Sequence, residues 1–232
     1  MALLVIAVSA AIHAAVGFGI NLLAVPVLLV LDSAYVPGPA LVAGLFLSVL
    51  MAGREFGSFD YRLGWAILGL LPGTALALGL LAVVPQDALG VPLGLLVLVA
   101  VGLSALRWKP SPTRPALLVA GTASGFLATA ASIGGPPMAL LYASAEGARL
   151  RSTLSVFFVA ASILSISSLA AVGRLGPEEL KVSAAFLPAV AAGFVLAGPL
   201  RRIVDRGHAR PAVLVLSAVA AVGAVVESLL RG

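Results

Sequence analysis

Eight stretches of the chain carry no Asp, Glu, Lys or Arg: 1–31, 33–53, 63–86, 88–106, 115–145, 152–173, 182–200 and 211–226. Apart from the shortest, each can cross a hydrocarbon core of about 30 Å as an α-helix. A soluble core helix keeps one polar face, and these segments have none. The alternating segments of about ten residues that build a membrane barrel are absent as well. The pattern predicts an all-α polytopic membrane protein.

Two stretches, 1–31 and 115–145, are 31 residues each, too long for one simple span. Each has helix breakers near its middle. The first carries Gly17-Phe18-Gly19-Ile20-Asn21 with Pro26 beyond, and the second Ser132-Ile133-Gly134-Gly135-Pro136-Pro137. Glycine costs about 1 kcal/mol and proline about 3 kcal/mol in a helix interior, but proline suits the first turn of a new helix. A helix is therefore expected to stop near Ser132 and another to start near Pro136, with the matching break at Gly17 to Asn21.

The two stretches also match each other. At an offset of 115, Ser9-Ala10 meets Ser124-Gly125 and Gly17-Phe18-Gly19 meets Ser132-Ile133-Gly134. Leu71-Pro72 meets Leu187-Pro188 at an offset of 116, half the chain of 232 residues. Basic residues test the topology. If each long stretch crosses once, the 14 Lys and Arg divide 8 to 6. If both are hairpins returning to their own side, the division is 11 to 3, with only Arg174, Lys181 and Arg231 in the minority. The positive-inside rule prefers the second arrangement. A pair of short spans per stretch gives the same sides. The expected architecture is an inverted repeat, each half a broken helical hairpin followed by three transmembrane helices. The first repeat, 1–116, holds hairpin 2–31 and spans of about 36–53, 62–84 and 88–106. The second, 117–232, follows hairpin 115–145 with spans of about 152–173, 180–200 and 210–230. Both termini are expected outside. With no basic n-region before Arg54, the first segment reads as membrane helix rather than a cleaved leader.

Composition narrows the function. Sixty-one per cent of residues are hydrophobic and 10% charged, against about 25% charged in soluble domains. The net charge of +5 lacks the basic cluster and interleaved aromatics of nucleic-acid binding, so no nucleic-acid partner is expected. There is no cysteine and there are only two histidines, which leaves no metal set, and no Walker motif serves a nucleotide. No cofactor is expected. Gly121-Thr122-Ala123-Ser124-Gly125 has the outline of a serine motif, but His208 lies in a charged loop and His13 would have to face Ser124. An enzyme is not expected.

Broken helices at membrane depth offer chemistry of their own. Their free N–H groups and positive dipole ends make anion sites without a buried cation. Glycines let a ligand approach the backbone. The candidate substrate-binding residues are Gly17, Phe18, Gly19, Asn21, Thr129, Ser132, Ile133, Gly134, Gly135, Pro136 and Pro137. Asn21, Ser132 and Thr129 are candidate side-chain donors, and Ile20 and Ile133 candidate apolar walls. His13, one turn before Gly17, is a candidate for proton coupling or a neutral histidine bonded to a backbone carbonyl. Arg151 is a candidate guide for the anion or a topology signal. Asn21 can equally bond a neighbouring helix, and Ser124 and Thr129 their own helix carbonyls.

Gly17-Phe18-Gly19 with Pro26 and Val27-Leu28-Leu29 resembles the first signature of the TauE/SafE family of sulfite-exporter-like permeases. Ser124-Gly125, then Ile133-Gly134-Gly135-Pro136-Pro137 and Leu140-Leu141-Tyr142, resembles its second, continued by Arg151-Ser152-Thr153-Leu154 and Phe157-Phe158. Ile20-Asn21 stands where many members have a denser glycine run. The resemblance implies transport of sulfite, a sulfonate or another sulfur-containing or organic anion. The expected partners are that small anion, the lipid bilayer of a bacterial or archaeal plasma membrane, and a coupling proton or cation. Small-residue faces such as Gly193 to Ala197 would allow a homo-oligomer. An anion channel and a non-transporting accessory subunit are the alternatives.

Overall fold

The computed structural model describes residues 1–16, 20–55, 57–84, 90–106, 110–145, 147–204, 218, 219, 222, 223 and 226. Gly17, Phe18 and Gly19, and most of the expected last span at 210–230, lie outside the described residues. The helices, in chain order, are α1 (Ala2–Val16), α2 (Ile20–Leu31), α3 (Gly38–Glu55), α4 (Leu63–Val83), α5 (Gly90–Ala105), α6 (Arg114–Ala131), α7 (Gly135–Leu141), α8 (Gly147–Ala171) and α9 (Pro177–Val204). A 3₁₀ turn, Ser33–Tyr35, links α2 to α3.

Among the described residues, Leu63–Val83, Gly147–Ala171 and Pro177–Gly198 are long and apolar enough to cross a bilayer. Their outward faces are apolar: Leu68, Leu71 and Leu76 on α4, Ile163 on α8, and Val195 and Leu196 on α9 are all exposed. Such faces suit lipid and would be unusual in water.

Local chemistry sets the ends. Thr113 caps α6 by accepting the Ala116 N–H, with Pro115 in the first turn. At α9 the third helical residue, Glu179, reaches back to accept the Gly176 N–H at 2.8 Å, and Pro177 opens the helix. The helix from 147 begins earlier than the span expected at 152. Among the residues between 147 and 151 only Arg149 and Arg151 are charged, and they project from its first turns.

Glycine governs the closest helix contact. Gly69 and Gly73 on α4 face Gly121 and Gly125 on α6, each pair four residues apart. A Cβ on Gly73 would collide with Thr122 O, and one on Gly121 with Ala66 O. A Cβ on Gly125 would lie 2.7 Å from Leu70 O. The backbones therefore approach as small-residue pairs allow in membrane bundles. The serine-like motif at 121–125 is thus part of a packing face. Gly193 plays the same part between α9 and α1, where its Cβ would meet Ala10 Cβ at 2.8 Å.

One buried carboxylate fastens the connection between α3 and α4. The Asp60 side chain is fully buried, 2.7 Å from Arg62 and 3.3 Å from Arg149 at the start of α8. Its N–H donates to Thr153 Oγ1 at 3.1 Å. Hydrogen bonds from Arg62 outweigh the opposing effect of burial and hold its carboxyl pKa at about 2.

The glycine interface generates a direct test. Gly73→Ala or Gly121→Ala should cost about 1–3 kcal/mol through overpacking. Thermal unfolding in detergent should show a Tm lower by about 2–10 °C. Gly79→Ala, with nothing within 4 Å of the new Cβ, should leave Tm unchanged or slightly raised. Equal shifts at all three positions would sink the packing assignment.

Candidate functional site

The second break has a defined geometry. α6 ends at Ser132, whose φ of 62° is left-handed, a conformation that usually falls to glycine. Ser132 N–H donates to Ala128 O at 2.7 Å, the single 5→1 bond of an αL ending, and Ile133 N–H reaches back to Leu127 O at 3.1 Å. α7 then begins at Gly135, with Pro136 and Pro137 in its first turn. Two prolines remove two of the N–H groups a helix start normally offers, so this end supplies fewer backbone donors than the sequence suggests. A Cβ on Gly134 would sit 2.8 Å from Ala128 Cβ, so the chain turns tightly against α6.

At the first break, His13 in the last turn of α1 reaches forward. Its Nδ1 accepts the N–H of Ile20, the first residue of α2, at 3.0 Å. The ring thereby caps one of the unpaired donors at the start of α2. An acceptor Nδ1 leaves the proton of the neutral ring on Nε2. The expected bond to a carbonyl is replaced by this bond from an N–H. The ring also meets the edge of Phe158 on α8, centroids 5.9 Å apart.

Asn21 ties the two breaks together. Its Nδ2 donates to Ser132 O at 2.8 Å and to Ala40 O at 3.2 Å. Ser132 Oγ donates to Pro37 O at 2.7 Å. Both amide hydrogens of Asn21 and the hydroxyl hydrogen of Ser132 are therefore committed to backbone carbonyls. Thr129 Oγ1 is committed too, 3.2 Å from Thr74 on α4 and 2.7 Å from Ser165 on α8. The three expected side-chain donors act as braces between helices in this conformation.

What they brace is a cavity of about 50 Å³. A water needs about 10–15 Å³ by the same kind of measure, so the space suits a few waters or one small ion. His13, Ile20, Asn21, Ser132, Ile133, Gly134, Gly135 and Pro136 all line it. Ile20 and Asn21 at the first break and Ser132 to Pro136 at the second thus meet at one place. Thr129, Pro137 and Arg151 are not on its wall. Thr129 and Pro137 are buried beside it, and the Arg151 guanidinium packs over Gly147. Helices α3 and α8 complete the wall with Leu41, Gly44, Ser48, Phe158, Ala161 and Ser162, which sequence reasoning missed. One signal for α8 was present: Ser155, Ser162 and Ser165 recur at helical spacing, and all three are buried.

Among the described residues the wall carries no Asp, Glu, Lys or Arg. Two polar atoms of lining residues, His13 Nε2 and Asn21 Oδ1, are buried out of reach of water and have no hydrogen-bond partner among the described residues. A larger cleft of about 450 Å³ beside Asp60, Arg62, Tyr142 and Arg149 does carry charge. There the carboxylate and both guanidiniums already pair with one another.

The brace is testable by stability. Asn21→Leu should lower stability by about 1–3 kcal/mol, because Ser132 O is left buried and unpaired. Ser132→Ala should cost about 1 kcal/mol, the worth of its bond to Pro37 O. Ser48→Ala, which loses only a local bond to Gly44 O in its own helix, should stay within about 0.5 kcal/mol. Thermal unfolding that ranked Ser48 above Asn21 would contradict the assignment.

A family model described as sulfite exporter TauE/SafE matches residues 2–224. No curated protein and no solved structure gives a significant match. Near full-length coverage, together with long apolar helices and the two breaks gathered at one cavity, places the chain in the sulfite exporter TauE/SafE family, whose members are membrane transporters and not enzymes.

Proposed function

We propose that the chain is a secondary carrier for a small anion, in the class of sulfite, a sulfonate or another sulfur-containing or organic anion. The observation that carries this reading is the convergence of both helix breaks on one uncharged cavity. Broken backbone inside a membrane is tolerated where protein or a polar cavity covers it, and carriers place their ligands at such breaks.

Two features support an inverted repeat as the frame for alternating access. Element bounds recur at an offset of about 115: Ala2–Val16 with Arg114–Ala131, Ile20–Leu31 with Gly135–Leu141, Gly38–Glu55 with Gly147–Ala171, and Leu63–Val83 with Pro177–Val204. The packing exchanges in the same way. α1 lies along α9 as α6 lies along α4, and α3 touches α9 as α8 touches α4. α7 has seven residues, about 10 Å of helix, far short of the core thickness of about 30 Å. That length favours re-entrant hairpins over pairs of full spans. With the 11 to 3 basic division, this supports a reading with both termini outside.

In this reading Asn21, Ser132 and Thr129 hold the walls, Ile20 and Ile133 provide apolar contact, and the glycines admit the ligand to the backbone. Among the described residues no Asp or Glu lines the cavity to relay a proton. His13 is therefore assigned the role of capping α2 beside the cavity in preference to that of proton carrier. Arg151, away from the wall, is left as a surface guide or topology signal.

Purified protein in liposomes should take up labelled sulfite with saturable kinetics, and unlabelled sulfite inside should accelerate entry. A channel would show no such acceleration. Ala161→Leu, which fills the cavity from α8, should cut the flux at least tenfold in protein that remains monodisperse. Full flux in that variant would remove this cavity from the transport path, and no flux of sulfite or of a simple sulfonate in folded wild-type protein would count against carriage of sulfur oxyanions.

A further inference from the structure

The cleft of about 450 Å³ beside Asp60 is built from a different set of residues than the central cavity. α7 reaches from one to the other: Gly135 and Pro136 stand on the cavity wall and Leu141 on the cleft. Arg62 at the N-cap of α4, Arg149 in the first turn of α8 and Ser111 ahead of α6 also line the cleft.

Its charge is unbalanced and held in place. The Asp60 carboxylate is fully buried, whereas the side chains of Arg62 and Arg149 keep 42% and 52% of their surface exposed. Arg62 engages the carboxylate through Nε and Nη2, the latter at 2.7 Å, and Arg149 through Nη2 at 3.3 Å. A guanidinium carries five N–H donors, so each arginine keeps donors that Asp60 does not engage, the Nη1 edge of Arg62 among them. A pairing that served the fold alone needs one cation for one carboxylate. Here two share one, and among the described residues the cleft carries a surplus positive charge. The carboxylate also orients both forks, and oriented guanidinium forks match the oxygens of a phosphate.

The surroundings of the cleft point to a lipid as the source of that phosphate. Phe59 and Tyr61, on either side of Asp60, and Trp65 in the first turn of α4 are all exposed. The Arg114 guanidinium lies 5.4 Å from the centre of the Trp65 ring. Tyr and Trp gather at the membrane–water boundary. From Trp65 the exposed face of α4 continues through Leu68, Leu71 and Leu76, a track for acyl chains that a soluble anion would not use. In the 11 to 3 division this end is the basic side, where pockets between membrane helices bind anionic headgroups. We propose that the cleft binds the phosphodiester headgroup of an anionic phospholipid, gripped by Arg62 and Arg149, with the acyl chains along α4. The proposal rests on the membrane reading and stands apart from anion carriage through the central cavity.

The test titrates the full chain in detergent with phosphatidylglycerol and with phosphatidylcholine of the same acyl chains, and counts bound lipid by native mass spectrometry. Phosphatidylglycerol should bind at least about fivefold more tightly. Arg149→Gln, which leaves Arg62 on Asp60, should lose about fivefold in affinity for phosphatidylglycerol and little for phosphatidylcholine. Lys181→Gln, a change to an exposed lysine outside the cleft, should bind as the wild type does. One arm needs no variant: a phosphatidylglycerol with a diazirine beside its glycerol should label residues 59–68 of the wild-type chain, and decides the matter if Arg149→Gln does not fold. Inorganic phosphate or sulfite in millimolar excess should not displace the lipid. Displacement by either would make the cleft a soluble-anion site and overturn the lipid assignment. Equal affinity for the two lipids, equal losses in the Arg149 and Lys181 variants, or labelling spread evenly over the outward helix faces would overturn the site itself.

Discussion

A helix interrupted inside a membrane must find partners for the backbone groups that the interruption frees, because lipid offers none. In this chain much of that burden falls on Asn21. Its amide satisfies Ser132 O at one break and Ala40 O at the start of α3, while its own position at the head of α2 places it at the other break. Ser132, in a left-handed conformation that costs about 1–2 kcal/mol for most residues, is held there by that bond and by its hydroxyl on Pro37. His13 does the equivalent work for Ile20. The cavity follows from these bonds: it is the space left between two breaks pinned to each other and to α3.

Satisfying the backbone uses up donors. The amide of Asn21, the hydroxyl of Ser132 and the hydroxyl of Thr129 look like ligand groups in isolation, yet each is bonded to protein. The prolines at 136 and 137 take further N–H groups out of the first turn of α7. What remains on the wall among the described residues is mostly apolar side chain, with close backbone approach at Gly134.

The breaks were legible because helix-breaking chemistry is local. Ser132 as the stop and Pro136 in a new first turn follow from propensity alone, and the helix bounds agree. The earlier start of α8, at 147, was hidden because glycine and two arginines read as a surface loop, whereas in the structure Arg149 pairs with the buried Asp60 and Arg151 packs over Gly147. Tertiary partnership was not legible. Nothing near Asn21 in the chain announces Ser132, 111 residues away, as its acceptor. Thr129 looked like a site residue by proximity to the break, but helical rotation turns it toward Thr74 and Ser165. Gly44 and Ser48 on α3, and Phe158 and Ala161 on α8, reach the wall only through packing that no local pattern encodes. The glycine pairs at 69 and 73 and at 121 and 125 were visible as spacing, and their meeting became evident only in three dimensions.

The central claim is that the two breaks face each other across a single cavity, and proximity tests it most directly. The chain has no cysteine, so Ile20→Cys with Ile133→Cys supplies a unique pair, one from each break, among the residues lining the cavity. A short bifunctional thiol reagent, applied to protein in membranes, should join the two positions. Mass spectrometry should recover the linked peptides, and reduction should restore any transport lost. If each cysteine reacts singly with the reagent but no linked peptide forms, the two breaks do not share a cavity.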